Sequence, residues 1–136
     1  MSTELRTLAS IALGLGLLAV GGCVDKSNPD MVDTRSVERW NFLVAHEAEK
    51  AYDYLTPGYR ATQTRENYAA SMNTRPVQWT GVTFKDKTCD GDRCKVNVNV
   101  RYSVAMPGMA GRKMDGERVQ SETWIRVNGE WFFLPN

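Results

Sequence analysis

Few side chains in this sequence could carry chemistry, and they are scattered. There is one histidine, His46. Its spacing puts it inside a helix, two residues beyond Val44, with Glu49 and Lys50 one turn further on. An imidazole with no acid to orient it is a poor general base, so His46 reads as a surface or boundary residue. Tyr52, Asp53 and Tyr54 close the same helix and are candidate polar groups for the mouth of a pocket. Tyrosine rings also pack against a core and keep the hydroxyl wet, and both readings stay open. Glu122 and Arg126 share a strand face with Trp124 and can pair on a solvated surface. With those assignments no acid and base reach a common substrate atom, and no catalytic residue is assigned. Asp86, Asp90 and Asp92 crowd a turn but lack the ligand order of a calcium loop. The sequence carries no glycine-rich phosphate loop, nucleophile elbow or zinc signature. No metal and no cofactor is expected.

The three cysteines are Cys23, Cys89 and Cys94. In "TCDGDRC" a turn signal separates the last two, which suits a disulfide clamping a hairpin tip in an oxidising compartment. Their spacing is C-x4-C, which is not the redox C-x-x-C, and two cysteines with no nearby histidine do not make a metal site. Cys23 stands elsewhere, at the end of the greasy run "LASIALGLGLLAV" and after two glycines. That run is too short to span about 30 Å of hydrocarbon and suits the apolar core of an export signal.

The run, the small residues and the cysteine together resemble a bacterial lipoprotein signal, whose lipobox here reads Val20-Gly21-Gly22-Cys23. The resemblance implies that Cys23 is acylated and becomes the first mature residue. Two or three acyl chains suffice for stable anchoring. Val24, rather than Asp, follows the cysteine, which in enterobacterial lipoproteins points to the outer membrane. The implied location is the cell envelope, on the periplasmic face of the outer membrane, or else the outer face of the cytoplasmic membrane. Residues 1–22 are then the signal, and 23–34, with "VDKSNPDMVD", the lipidated cysteine and a polar tether.

The remaining residues, 35–136, must form the folded domain. The formal net charge of the chain is +1, which suggests no polyanion, and nucleic acid is excluded as a partner. A helix is expected to begin near Asp33–Ser36. Val37, Trp40, Val44, Ala48, Ala51 and Leu55 recur at steps of three and four, one stripe over about five turns. Pro57-Gly58 stops it. Thr64 caps a shorter helix carrying Glu66, Tyr68, Ala69 and Met72, which ends by Pro76.

From Val77 the period becomes two. "VQWTGVTFKDK" is a strand with Gly81 as a bulge or bend. In "CKVNVNVRYSVAM", Val96, Val98, Val100, Tyr102 and Val104 share one face. Placing Cys89 opposite Cys94 sets Lys85 against Val98, unless a bulge between Phe84 and Thr88 shifts the register in favour of Phe84. Pro107 to Gly116 reads as a loop, "ERVQSETWIRV" as a third strand and "EWFFLP" as a fourth. The Asn128-Gly129 turn pairs Val127 with Glu130, Ile125 with Phe132 and Thr123 with Leu134. It also pairs Arg126 with Trp131 and Trp124 with Phe133, so both faces of this hairpin are greasy. Trp124, Trp131 and Phe133 are then either buried in the concavity of a curved sheet or form a patch for a protein partner or a homodimer.

Helices first and strands afterwards argue an α+β fold: a long and a short helix packed on a curved four-stranded antiparallel sheet. In "AYDYLTPGYR", "TRENYAASM", the long alternating strand and "WIRVNGEWFF", the chain resembles the nuclear-transport-factor-two-like, cystatin-like roll. That family also holds ketosteroid isomerases and polyketide cyclases. The resemblance implies a cone between helix and sheet that serves either an enzyme or a binding domain. Three functions follow as expectations. The first is a lipid-anchored, non-catalytic domain that binds a partner or a small apolar ligand. The second is an isomerase- or dehydratase-like enzyme using the cone. The third is a structural accessory of envelope assembly.

Overall fold

The computed structural model describes residues 28–136. The expected signal, Cys23 with its expected acylation and most of the expected tether lie outside the described residues. Helix α1 (Met31–Val44) opens the domain, four residues before the expected boundary at Arg35, and already buries Val32. It is followed by α2 (Ala48–Ala51), a single 3-10 turn (Tyr52–Tyr54), α3 (Pro57–Arg60) and α4 (Arg65–Asn73). Strands β1 (Val77–Asp90), β2 (Arg93–Ala105), β3 (Lys113–Val127) and β4 (Glu130–Leu134) then form one antiparallel sheet in the order β1-β2-β3-β4. The helices pack on one face of this sheet, the expected α+β arrangement.

The expected continuous helix is broken at Val44. The amide of Glu47 donates to the Phe42 carbonyl at 2.8 Å and that of His46 to Leu43 at 3.2 Å. This pair of bonds is a Schellman stop. His46 fills its left-handed position at φ 59°, where glycine is the common choice. It therefore lies exposed at a helix end and not within a helix.

The buried face of α1 also differs from the apolar stripe. Val37 and Val44 are half-buried, while Val32, Arg35, Ser36, Arg39, Trp40 and Leu43 face inward. A hydrophobicity pattern passes over arginine and serine. They are turned inward because the sheet opposite supplies their partners, as described below. Thr64 caps α4 as expected, accepting from the Asn67 amide at 3.2 Å.

Two bulges place the side chains of β1. One leaves out Thr80, so Trp79 and not Thr80 lies across from Tyr102. The other leaves out Lys85 and sets Phe84 opposite Val98. A one-residue shift turns every following side chain to the other face. Trp79 thereby joins Val82, Val96, Val98 and Val100 on the helix-covered side. Phe84 gains the register but remains 39% exposed. The tip is closed by the Cys89–Cys94 disulfide across a directly opposed pair.

Strand β3 starts at Lys113, so the loop before it is shorter than expected and Gly116 lies within the strand beneath the Tyr102 ring. The Asn128-Gly129 turn has φ of 49° and 79° and gives every expected pair of the β3–β4 hairpin. Trp124 and Trp131 are fully buried and Phe133 half-buried on the helix-covered face. They form part of the core, the first of the two expected readings, and the alternative of an exposed interaction patch at Trp124, Trp131 and Phe133 falls away. The free edge of β4 is occupied as well. The Phe133 carbonyl accepts from the Thr56 amide at 3.0 Å and the Trp131 carbonyl from Arg35 Nε at 2.9 Å, so neither is left as a template for another strand.

Candidate functional site

Glu122 is the residue around which the site is built. The register places it opposite Val96, on the face that α1 covers. It is 2% exposed and not on the solvated surface expected for it. Burying a carboxylate is costly unless it is paired and hydrogen-bonded, and both of its oxygens are engaged. Ser36 Oγ donates to Oε2 at 2.6 Å and Trp124 Nε1 to the same oxygen at 2.9 Å. Arg39 Nη1 and Trp40 Nε1 each donate to Oε1 at 2.7 Å. The Arg39 guanidinium lies flat enough to place its Cζ 3.9 Å from the Phe133 ring centroid, a favourable cation–π contact.

This cluster forms the floor of a cleft of about 320 Å³ between α1, the start of β1, β3 and β4. Leu43, Tyr59, Met72, Trp79 and Phe133 supply apolar and aromatic walls. Trp40 and Trp79 meet edge to face, with centroids 5.5 Å apart. Arg75, which follows α4, and Arg118, on β3 opposite Val100, line the cleft and are exposed. Arg118, Gln120, Glu122 and Trp124 alternate along one face of β3, so a polar ladder descends from the rim to the floor. The Nε of Arg39 and the Oγ of Ser121 are buried without a hydrogen-bond partner. Among the described side chains lining the cleft, Glu122 is the one carboxylate and there is no imidazole.

The expected pocket-mouth residues are not brought together at this cleft. Tyr52 is buried and donates its hydroxyl to the carbonyls of Gln63 at 2.7 Å and Arg60 at 3.0 Å, tying the 3-10 turn to the segment before α4. Asp53 is exposed and clamped by Arg65, whose two terminal nitrogens donate to its oxygens at 2.6 and 3.1 Å. That hydrogen-bonded guanidinium holds the Asp53 carboxyl below its usual range. Tyr54 donates to Glu38 Oε2 at 3.1 Å, and burial, reinforced by that neighbouring carboxylate, raises its phenol to about 12. Asp53 and Tyr54 line a separate shallow depression with Arg35, Phe42, Lys50 and Glu130. Tyr52 lines neither it nor the cleft.

No protein-family model matches the chain, and no match was found among curated proteins. Solved structures do match. A SEC-C motif containing protein from Rhodopseudomonas palustris superposes with a TM-score of 0.60 at 12% identity, over 82% of this chain and 79% of that one. A protein proposed to be an NTF2-like transpeptidase, from Campylobacter jejuni, gives 0.52 at 12% identity, over 80% and 99%. The fold is NTF2-like. A second SEC-C motif containing protein, from Psychrobacter arcticus, gives 0.55 at 10% identity, over 85% and 63%. Identities this low speak for the fold and not for an activity.

The Glu122 cluster was missed by sequence reasoning, although one signal pointed to it. Glu122 and Trp124 are two apart on a strand and must share a face. Once Trp124 is assigned to the core, Glu122 has to follow it inward.

Among the described residues, no group of His, Cys, Asp and Glu side chains is placed to hold a metal ion. Asp92 is committed elsewhere, accepting from Arg126 Nε at 2.7 Å and tying the β1–β2 tip to β3.

Proposed function

We propose that this chain is a lipid-anchored envelope protein whose NTF2-like roll is a non-catalytic binding domain for a small apolar ligand. The observation that supports this most directly is the state of Glu122. A general base must reach a proton on the substrate and take it. Both oxygens of Glu122 instead accept from the protein's own donors, one of them the Arg39 guanidinium. The carboxylate serves as a structural tie between α1 and β3, and the aromatic walls above it remain as the binding surface. Apolar and aromatic walls with a few convergent polar groups are ordinary parts of a ligand site. An isomerase- or dehydratase-like enzyme would require an acid or imidazole at the cleft that is free to exchange a proton.

Anchoring and binding are tested separately. Mass spectrometry of the chain purified from membranes should find an acylated Cys23 as the first residue. An unmodified amino terminus with the leader attached would remove the anchor. Calorimetric titration with neutral naphthalene carboxamide should show saturable binding that Met72→Trp, which fills the cleft, abolishes. Saturation unaffected by Met72→Trp would place the ligand elsewhere.

A further inference from the structure

The charge of the cleft points to the kind of ligand it takes. Among the side chains that line it, three are arginines and one is a carboxylate. Arg39 and Glu122 neutralise each other at 2.7 Å on the floor. Arg75 and Arg118 are left, and neither has a carboxylate partner among the described residues. Both stand beside Trp79: the Arg75 guanidinium carbon is 5.9 Å from its ring centroid, and Arg118 lines a recess of about 140 Å³ with Trp79 and Tyr102. These two flank an aromatic wall, and guanidinium groups are suited to carboxylate, sulfonate and phosphate oxygens by their planar fork of donors. The bulge at Thr80 is what carries Trp79 to this side. The unpartnered Nε of Arg39, on a cleft-lining residue, adds unmet hydrogen-bonding capacity in the same place.

We propose that the cleft binds a small aromatic molecule bearing an anionic group, its ring against Trp79 and its anion between Arg75 and Arg118. This rests on the reading of the cleft as a ligand site, and the test separates the two. Naphthalene carboxylate and naphthalene carboxamide have nearly the same shape and differ in charge. Both are titrated calorimetrically into the full chain at low ionic strength, in one buffer. The carboxylate should bind about 10-fold more tightly, the lower end of what one charge-assisted hydrogen bond supplies. The ratio should fall to about one in Arg75→Gln/Arg118→Gln and return in Arg75→Lys/Arg118→Lys. It should also shrink as salt rises. Equal affinities in the unaltered chain would overturn the anionic class while leaving the cleft a ligand site. A ratio that persists in the double glutamine variant would overturn the assignment to these arginines. Binding of neither probe would overturn both readings.

Discussion

Replacing Glu122 by glutamine keeps the shape of the side chain and removes its charge, so it isolates what the buried carboxylate does. An amide has one acceptor oxygen where the carboxylate has two. If that oxygen keeps Arg39 and Trp40, the NH2 group faces Ser36 Oγ and Trp124 Nε1. The serine hydroxyl can turn and accept. The indole N–H cannot, and is left as an orphaned donor, at about 1–3 kcal/mol. The larger effect is on Arg39, which is 4% exposed and loses its counter-charge. Removing one partner of a buried pair costs about 3–5 kcal/mol. The two effects share atoms and do not add fully, so a loss of about 4–6 kcal/mol is expected. A domain of this size has only about 5–15 kcal/mol to lose.

The measurement is urea unfolding of Glu122→Gln, Arg39→Met and the double variant, followed by tryptophan fluorescence and far-ultraviolet circular dichroism. The double variant should cost about 2–3 kcal/mol less than the sum of the singles, because it no longer buries a lone charge. A loss below about 1 kcal/mol for Glu122→Gln, or a cycle with no coupling, would refute the account of Glu122 as the tie between α1 and β3.

Other consequences concern the rest of the domain. His46→Gly should stabilise the protein by about 0.5–1 kcal/mol, since glycine occupies the left-handed stop at φ 59° without the penalty a β-carbon incurs; a destabilisation in thermal unfolding would count against the Schellman assignment. Cys89→Ala/Cys94→Ala should lose about 2 kcal/mol, the value expected for so short a closed loop, and reducing agent should produce a comparable shift in the unaltered chain. The Tyr54 phenol is raised from 10.0 to about 12 by burial. Its contribution is therefore present below pH 10 and lost as pH rises towards 12, and Tyr54→Phe should remove that part of the alkaline unfolding limb. Asp53 is held low by Arg65, so its contribution is present above its unfolded value of 3.8 and lost on further acidification. Its exposure keeps the effect small, and Asp53→Asn should flatten only the acid end of the stability profile.

Much of this was readable from residues adjacent in the chain. Thr64 announces α4, and the period-two valines announce β2. Asn128-Gly129 sets each pair of its hairpin, and "TCDGDRC" the disulfide. A turn type or a strand period depends on neighbours a few positions away, so the local sequence carries it. The break at His46 was not readable, because a left-handed histidine has no distinctive signature and the apolar stripe continues past it. The boundary of α1 was placed late for a related reason: its first turn holds no capping side chain.

The site belongs to the other kind of information. Ser36, Arg39 and Trp40 meet Glu122 across 82 to 86 positions, and an arginine and a serine look like solvated residues until that partner is known. Which face of α1 turns inward depends on what the sheet offers it, and which face Trp79 takes depends on a bulge. Pattern and turn chemistry were sufficient for the elements, since those are local equilibria. Burial of charge is a balance between desolvation and pairing, and the pairing exists only after distant strands and helices have packed.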